Sequence, residues 1–218
     1  MPVVCSRFDA LGSDDPTKIR RLGIMGGTFD PIHIGHLACA EQVREAFDLD
    51  GVVFIPAGDP WMKSGSGVTA AGHRLEMVRL AVSDNPFFDV SSMEIDRPGR
   101  TYTVDTLRAM RAHYPENVEL YFISGADAVF RILEWRDSAE LGKLAHLVAV
   151  TRPGYRISDA RRRYFRTHAN ILHLLQMDVT ALAVSSTDLR EKVRNGRSIR
   201  YLAPQPVVDY VAQHGLYL

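Results

Sequence analysis

Two histidines three residues apart, His33 and His36, follow a Gly-Gly pair in the stretch RLGIMGGTFDPIHIGHLACAE (21–41). Spaced i, i+3 around a helix start, their imidazoles can face one side, beside the positive end of the helix dipole. That end already favours an anion, and two ring donors sharpen the preference. Gly26 and Gly27 lack Cβ atoms, so the turn they begin with Thr28 and Phe29 can bring backbone N–H groups close to a phosphate. The pattern is neither GxGxxG nor GxxxxGK[ST], so neither the dinucleotide fingerprint nor the P-loop describes it. A metal site would need further ligands, and no nearby cysteine or carboxylate completes a set around the histidines.

A second stretch could meet the same anion. Ser185-Ser186-Thr187-Asp188-Leu189-Arg190 puts hydroxyl donors at a helix N-terminus, beside its free N–H groups. Arg190, four residues after Ser186, returns to the same side and adds a guanidinium. Alone, SSTD reads as an ordinary N-cap. Together with the His33–His36 start, about 150 residues earlier, it describes a clamp for a triphosphate.

GGTFDPIHIGH resembles the (H/T)xGH signature of nucleotidyltransferases, which join a nucleoside monophosphate to a phosphate and release pyrophosphate. SSTDLR resembles their (S/T)SSTxxR element. Within that superfamily the chain is similar to bacterial nicotinate-nucleotide adenylyltransferases, from Arg21 to the C-terminus. The similarity also covers PAGDPWMK (56–63), TYTVDTL (101–107), GADA (125–128) and YLAPQPVVDYVAQHGLY (201–217). Pantetheine-phosphate adenylyltransferases share the first signature but lack the YTxDTL element. PWMK stands where the family more usually has PPHK, and residues 1–20 have no counterpart.

The resemblance implies transfer of the adenylyl group of ATP to nicotinate mononucleotide, giving deamido-NAD and pyrophosphate. It implies that His33 and His36 donate to the α- and β-phosphates, that Arg190 with Ser185, Ser186 and Thr187 holds the leaving pyrophosphate, and that Lys63 screens the approaching phosphates. Asp127, after Gly125, would accept from ribose hydroxyls, and Arg152 is a further ATP-side candidate. Thr101 and Tyr102 would offer backbone N–H groups to the nicotinate carboxylate. Trp135 is either a half-buried core residue or a ring stacked on the pyridinium, a cation–π contact of about 0.5–2 kcal/mol. Mg²⁺ would arrive with ATP.

These residues need a scaffold. From Leu22 onward short apolar runs alternate with helical patterns: strands at LGIM, 52–57, 87–95, 118–124, 145–150 and 171–177, and helices after His33 and at 73–82, 103–114, 158–169, 185–195 and 204–215. In the helix at 73–82, Leu75, Val78 and Val82 mark the expected buried side. Such alternation predicts one doubly wound, Rossmann-like α/β domain over 21–218, its mainly parallel sheet covered on both faces. Residues 1–20 mix charges with Gly, Ser and Pro and read as a mobile extension.

Lys plus Arg equals Asp plus Glu at 26 each, which argues against a protein that coats nucleic acid. The Arg161–Arg163 run then reads as a solvated helix face. A non-catalytic nucleotide sensor would have little use for both signatures with every polar residue present. Two cysteines fit neither a disulfide framework nor a metal spacing. No apolar run approaches the roughly 18 residues that span a bilayer, and no secretory leader is evident, so the expected place is the cytoplasm. Oligomeric state is left open, a homo-oligomer included.

Overall fold

β-strand stretches such as GVVFIP and the middle of HLVAVT are apolar and buried, as they must be when both faces of a sheet are covered. The computed structural model describes residues 6–13, 15–59, 67–129, 135–151, 163, 167, 173–180 and 182–218. Its strands are β1 Arg20–Gly27, β2 Gly51–Pro56, β3 Phe88–Val90, β4 Val118–Gly125, β5 His146–Thr151 and β6 Leu174–Asp178. They form one sheet in the order β3-β2-β1-β4-β5-β6, every pairing parallel. The helices are α1 Ile34–Ala46, α2 Ala71–Val82, α3 Thr103–His113, α4 Ala126–Val129, α5 Ser138–Leu144, α6 Ser186–Arg194 and α7 Gln205–Gln213.

Register divides each strand between two cores. Ile24 pairs with Val53 and Phe122, and all three enter the core shared with α3 and α5. Met25 pairs with Phe54 and Ile123, and these enter the opposite core with α1, α2, α6 and α7. A one-residue slip would exchange the two sets, so the register is fixed by the packing on both sides.

The expected strand at 87–95 ends at Val90. Beyond it, Ile95 and Asp96 both donate to the Ser92 carbonyl, closing a turn that buries Met93 and Glu94. In α2, Val78 and Val82 face inward as expected, joined by Arg74, Met77 and Ala81, whereas Leu75 is only half-buried. Helix α5 was not anticipated. Its cap, Asp137, is in the left-handed region, with φ 49°. Of the expected helix at 158–169, only Arg163 and Thr167 fall among the described residues.

The N-terminal segment departs most from expectation. Residues 6–13 and 15–18 dock at the edge where the strands begin. Phe8 and Leu11 pack on the second core, and a Cβ on Gly51 would stand 2.1 Å from the Phe8 ring. Asn117 Nδ2 donates to the carbonyls of Gly12, Asp15 and Lys18 at 3.0–3.2 Å, and Arg7 N–H donates to Asp89. Two apolar residues in a turn have no period long enough to read from sequence, and the glycine that receives Phe8 lies 43 positions away. Phe8→Ala should therefore lower stability by about 1–2 kcal/mol, or roughly 2–8 °C in melting temperature. An unchanged thermal midpoint would show that the segment carries no load.

Candidate active site

In the order β3-β2-β1-β4-β5-β6, connections leave β1 and β4 toward opposite faces, so their carboxyl ends part and open a crevice. A cleft of about 210 Å³ lies there. Gly26, Gly27, Phe29, His33 and His36 line it from one side and Ser124 and Gly125 from the β4 side. Six of the sequence-selected residues thus meet in one place.

Gly27 has a steric duty. A Cβ there would lie 2.8 Å from the Phe29 ring, whereas one on Gly26 would make only an ordinary contact with Phe122 at 3.4 Å. Phe29 itself has φ 50°, in the left-handed region, and its ring meets His36 edge-on at 5.1 Å. The bare glycine lets that ring lie against the backbone, and the ring in turn walls His36.

His33 caps α1 with an extended backbone and is 3% exposed. Its ring stacks on that of His36, with centroids 3.7 Å apart. The His33 backbone N–H donates to His36 Nδ1 at 3.2 Å. Neutral His36 must then carry its ring proton on Nε2, the form that can donate to an anion.

The second helix start is fastened to the first. Ser186 Oγ donates to the Pro31 carbonyl at 2.8 Å, and Arg190 Nη1 donates to the Asp30 carbonyl at 2.7 Å. Arg190 Nη2 also reaches Thr187 Oγ1 at 3.3 Å. Ser185 closes its own cap, accepting from Asp188 N–H and donating to the Asp188 carboxylate. Two helix N-termini, α1 and α6, are thereby held against the same loop. The positive ends of their dipoles make that edge a place for negative charge.

The acceptor-side candidates lie outside this cleft. Thr101, buried, exchanges bonds with Asp59: its N–H donates to the Asp59 carbonyl, and Asp59 N–H donates to its hydroxyl. Tyr102 caps α3, and the Arg136 guanidinium lies 4.9 Å over its ring. Trp135 is half-buried and meets Phe122 edge-on at 6.2 Å, at the rim of the second core. Trp135 shares a shallow groove with Arg108, Glu140 and Lys143, apart from the histidine cleft. Lys63, Arg152, Arg161, Arg162 and the Asp127 side chain lie outside the described residues.

Sequence reading passed over four polar residues behind the glycine turn. Asp30, 3% exposed, accepts from the Tyr217 hydroxyl at 2.8 Å and from Thr69 N–H at 3.3 Å. Burial, with the Asp30 charge beside it, pushes the Tyr217 phenol well above its ordinary value. Arg74 and Glu94 are buried below the connections after β1 and β2. The legible signal was Arg74, an arginine on the apolar stripe that Met77, Val78 and Ala81 continue.

Fold and cleft together define a nucleotide-binding α/β domain with paired helix N-termini. The cytidylyltransferase-like family matches residues 24–192, and the chain belongs to that family. The chain also belongs, more narrowly, to the nicotinate-nucleotide adenylyltransferases. A protein of Thermoanaerobacter sp. (strain X514) named "Probable nicotinate-nucleotide adenylyltransferase" is 50% identical over 200 residues, covering 90% of this chain and 94% of that one. One of the same name from Leifsonia xyli subsp. xyli (strain CTCB07) is 50% identical over 202 residues, with the same coverage. The fold is that of the Plasmodium falciparum nicotinic acid mononucleotide adenylyltransferase complexed with NaAD. The two superpose with a TM-score of 0.74 at 18% identity, covering 91% of this chain and 97% of the other.

Glu94 gives the region a pH dependence. Burial raises its carboxyl to about 7, against the Thr106 hydroxyl bonded to it and the charges of Arg97 and Arg74. An unfolded glutamate loses its proton near 4.5. Between those values the native state holds a proton that the unfolded chain has released, so stability falls as pH rises to about 7 and levels off above it. Glu94→Gln removes that slope. Relative to the parent, the variant should gain roughly 2–3 kcal/mol between pH 4.5 and 8 in urea unfolding. A difference that does not change with pH would contradict this.

Proposed function

We propose that this chain transfers the adenylyl group of ATP to nicotinate mononucleotide, releasing pyrophosphate and deamido-NAD. The observation that carries the proposal is the pair of helix starts, α1 and α6, held on one loop beside the cleft at the strand switch point. Membership among the nicotinate-nucleotide adenylyltransferases supports the choice of substrates.

An oxygen of the mononucleotide phosphate attacks the α-phosphorus of ATP, and the bond from that phosphorus to the β-phosphate bridging oxygen breaks. The attacking oxygen is already ionised at neutral pH, so no side chain need remove a proton. Catalysis then consists of alignment and of stabilising charge on the α-phosphate. His36 Nε2–H and His33, at the positive end of α1, serve the α- and β-phosphates, with Gly26, Gly27, Thr28 and Phe29 shaping the wall. Ser186 and Thr187 at the start of α6 hold the pyrophosphate end with Arg190, Ser185 caps that helix on the ATP side, and Lys63 screens the two approaching anions.

Gly125, Asp127 and Arg152 complete the ATP side. Thr101 and Tyr102 receive the nicotinate carboxylate, and Trp135 covers the pyridinium. Among the described residues no group of three or more His, Cys, Asp or Glu side chains is arranged to hold a metal ion. We assign Mg²⁺ to ATP as part of the substrate, held by phosphates and water. Among the described residues no helix is long and apolar enough to cross a membrane, and we place the enzyme in the cytoplasm, with assembly into a homo-oligomer left open.

Pyrophosphate should appear from ATP only when nicotinate mononucleotide is added, with a product of the mass of deamido-NAD. Release that ignores the mononucleotide, or a faster reaction with the nicotinamide form, would overturn the assignment. His36→Ala should lower kcat by roughly 10²-fold or more, with a much smaller change in ATP affinity. Near-normal turnover in the folded variant would remove His36 from the phosphates. Trp135→Ala should raise KM for the mononucleotide more than KM for ATP, and Trp135→Phe should recover part of the loss. A destabilised Ala variant with unchanged mononucleotide KM would assign Trp135 to the core alone.

A further inference from the structure

Arg74 is 1% exposed, and its guanidinium touches three carbonyls in two connections, the one after β1 and the two ends of the one between β2 and α2. Nη1 donates to the Thr28 carbonyl at 2.9 Å, Nη2 to the Gly58 carbonyl at 3.1 Å and Nε to the Thr69 carbonyl at 2.9 Å. Thr28 lies between Gly27 and Phe29, both of which line the histidine cleft. Gly58 precedes Asp59, which is bonded to Thr101 on the acceptor side. Gly58 is itself pressed on Glu94, where a Cβ would stand 2.2 Å from the carbonyl oxygen. That contact leaves the connection little freedom to shift on its own.

The cation is costly where it stands. Burial disfavours its charge, offset chiefly by the Asp30 carboxylate acting across space. A packed hydrophobic residue of similar volume would serve stability as well or better. What an apolar side chain cannot do is bind three carbonyls in fixed directions, and a planar guanidinium fork can.

We propose that Arg74 is a positioning residue for adenylyl transfer: it sets the spacing between the glycine turn on the ATP side and the connection that leads to the acceptor side. The proposal rests on the function assigned above. Two anions must be aligned for in-line attack, and a displacement of about 1 Å between their holders costs on the order of 10²-fold in rate. A residue that fixes that spacing acts on turnover more than on the affinity of either substrate alone.

The test uses Arg74→Lys, which keeps the charge and loses the fork, and Arg74→Ala. In Arg74→Lys, kcat should fall about 10- to 100-fold. ATP affinity measured calorimetrically without acceptor, and KM for each substrate, should change by less than about threefold. Guanidinium chloride at low millimolar concentration should restore part of the turnover of Arg74→Ala, and methylammonium should not. If the Ala variant does not fold, the Lys variant decides alone. A folded Arg74→Lys enzyme with parental kcat overturns the proposal, and so does a loss that only follows the folded fraction or that raises both KM values in step. The parent enzyme with ATP and nicotinate mononucleotide is the control. Its failure to turn over defeats the assigned function, whereas parental kinetics in Arg74→Lys defeat the positioning role alone.

Discussion

The fastening of α6 to the loop before α1 is the constraint on which the site depends. Ser186 and Arg190 spend hydrogen bonds on the carbonyls of Pro31 and Asp30. Each bond to a charged donor of this kind contributes about 1.5–3 kcal/mol, and a neutral one about 1 kcal/mol. Their larger effect is geometric. They bring together two helix N-termini whose sequences are about 150 residues apart, so that the positive ends of two helix dipoles meet at one loop. Arg190 therefore acts through the loop as well as through any phosphate it meets.

Sheet order explains why this loop is available. Chain connections part between β1 and β4, and the glycine turn follows β1 directly into that gap. The wall behind the gap is apolar, with Met25, Ile123 and Val150 at its base. The polar groups stand on its rim, carried by loops. Those loops are stiffened from below by Arg74 and by the Asp30–Tyr217 pair, which ties the last residues of the chain to the turn. A rigid rim over an apolar base is what preorganised phosphate donors require.

Much of this was legible in the sequence, for definable reasons. The parallel sheet followed from apolar runs alternating with helical patterns, and the cleft from Gly-Gly followed by paired histidines. Ser185 proved to be the self-satisfied N-cap that its sequence suggested, while Ser186 beside it reaches across to Pro31. What escaped were contacts with no local period. Phe8 depends on a distant glycine, Asn117 on three carbonyls in the N-terminal segment, and Arg74 on three carbonyls in two loops. The helical pattern of α2 was recognised, and Val78 and Val82 are buried as expected, but Arg74 rather than Leu75 begins the inward side. A buried cation bonded to backbone carbonyls leaves no partner residue type to find.

The central claim is that the two helix starts act as one phosphate site because they are held together. A double-mutant cycle between His36→Ala and Ser186→Ala, read as kcat/KM for ATP, tests it most directly. If Ser186 acts by placing the His36 loop, its removal should cost much less once His36 is gone, with a coupling of about 1 kcal/mol or more. Additive losses, within roughly 0.3–0.5 kcal/mol, would mean that the two starts work independently and would contradict the account.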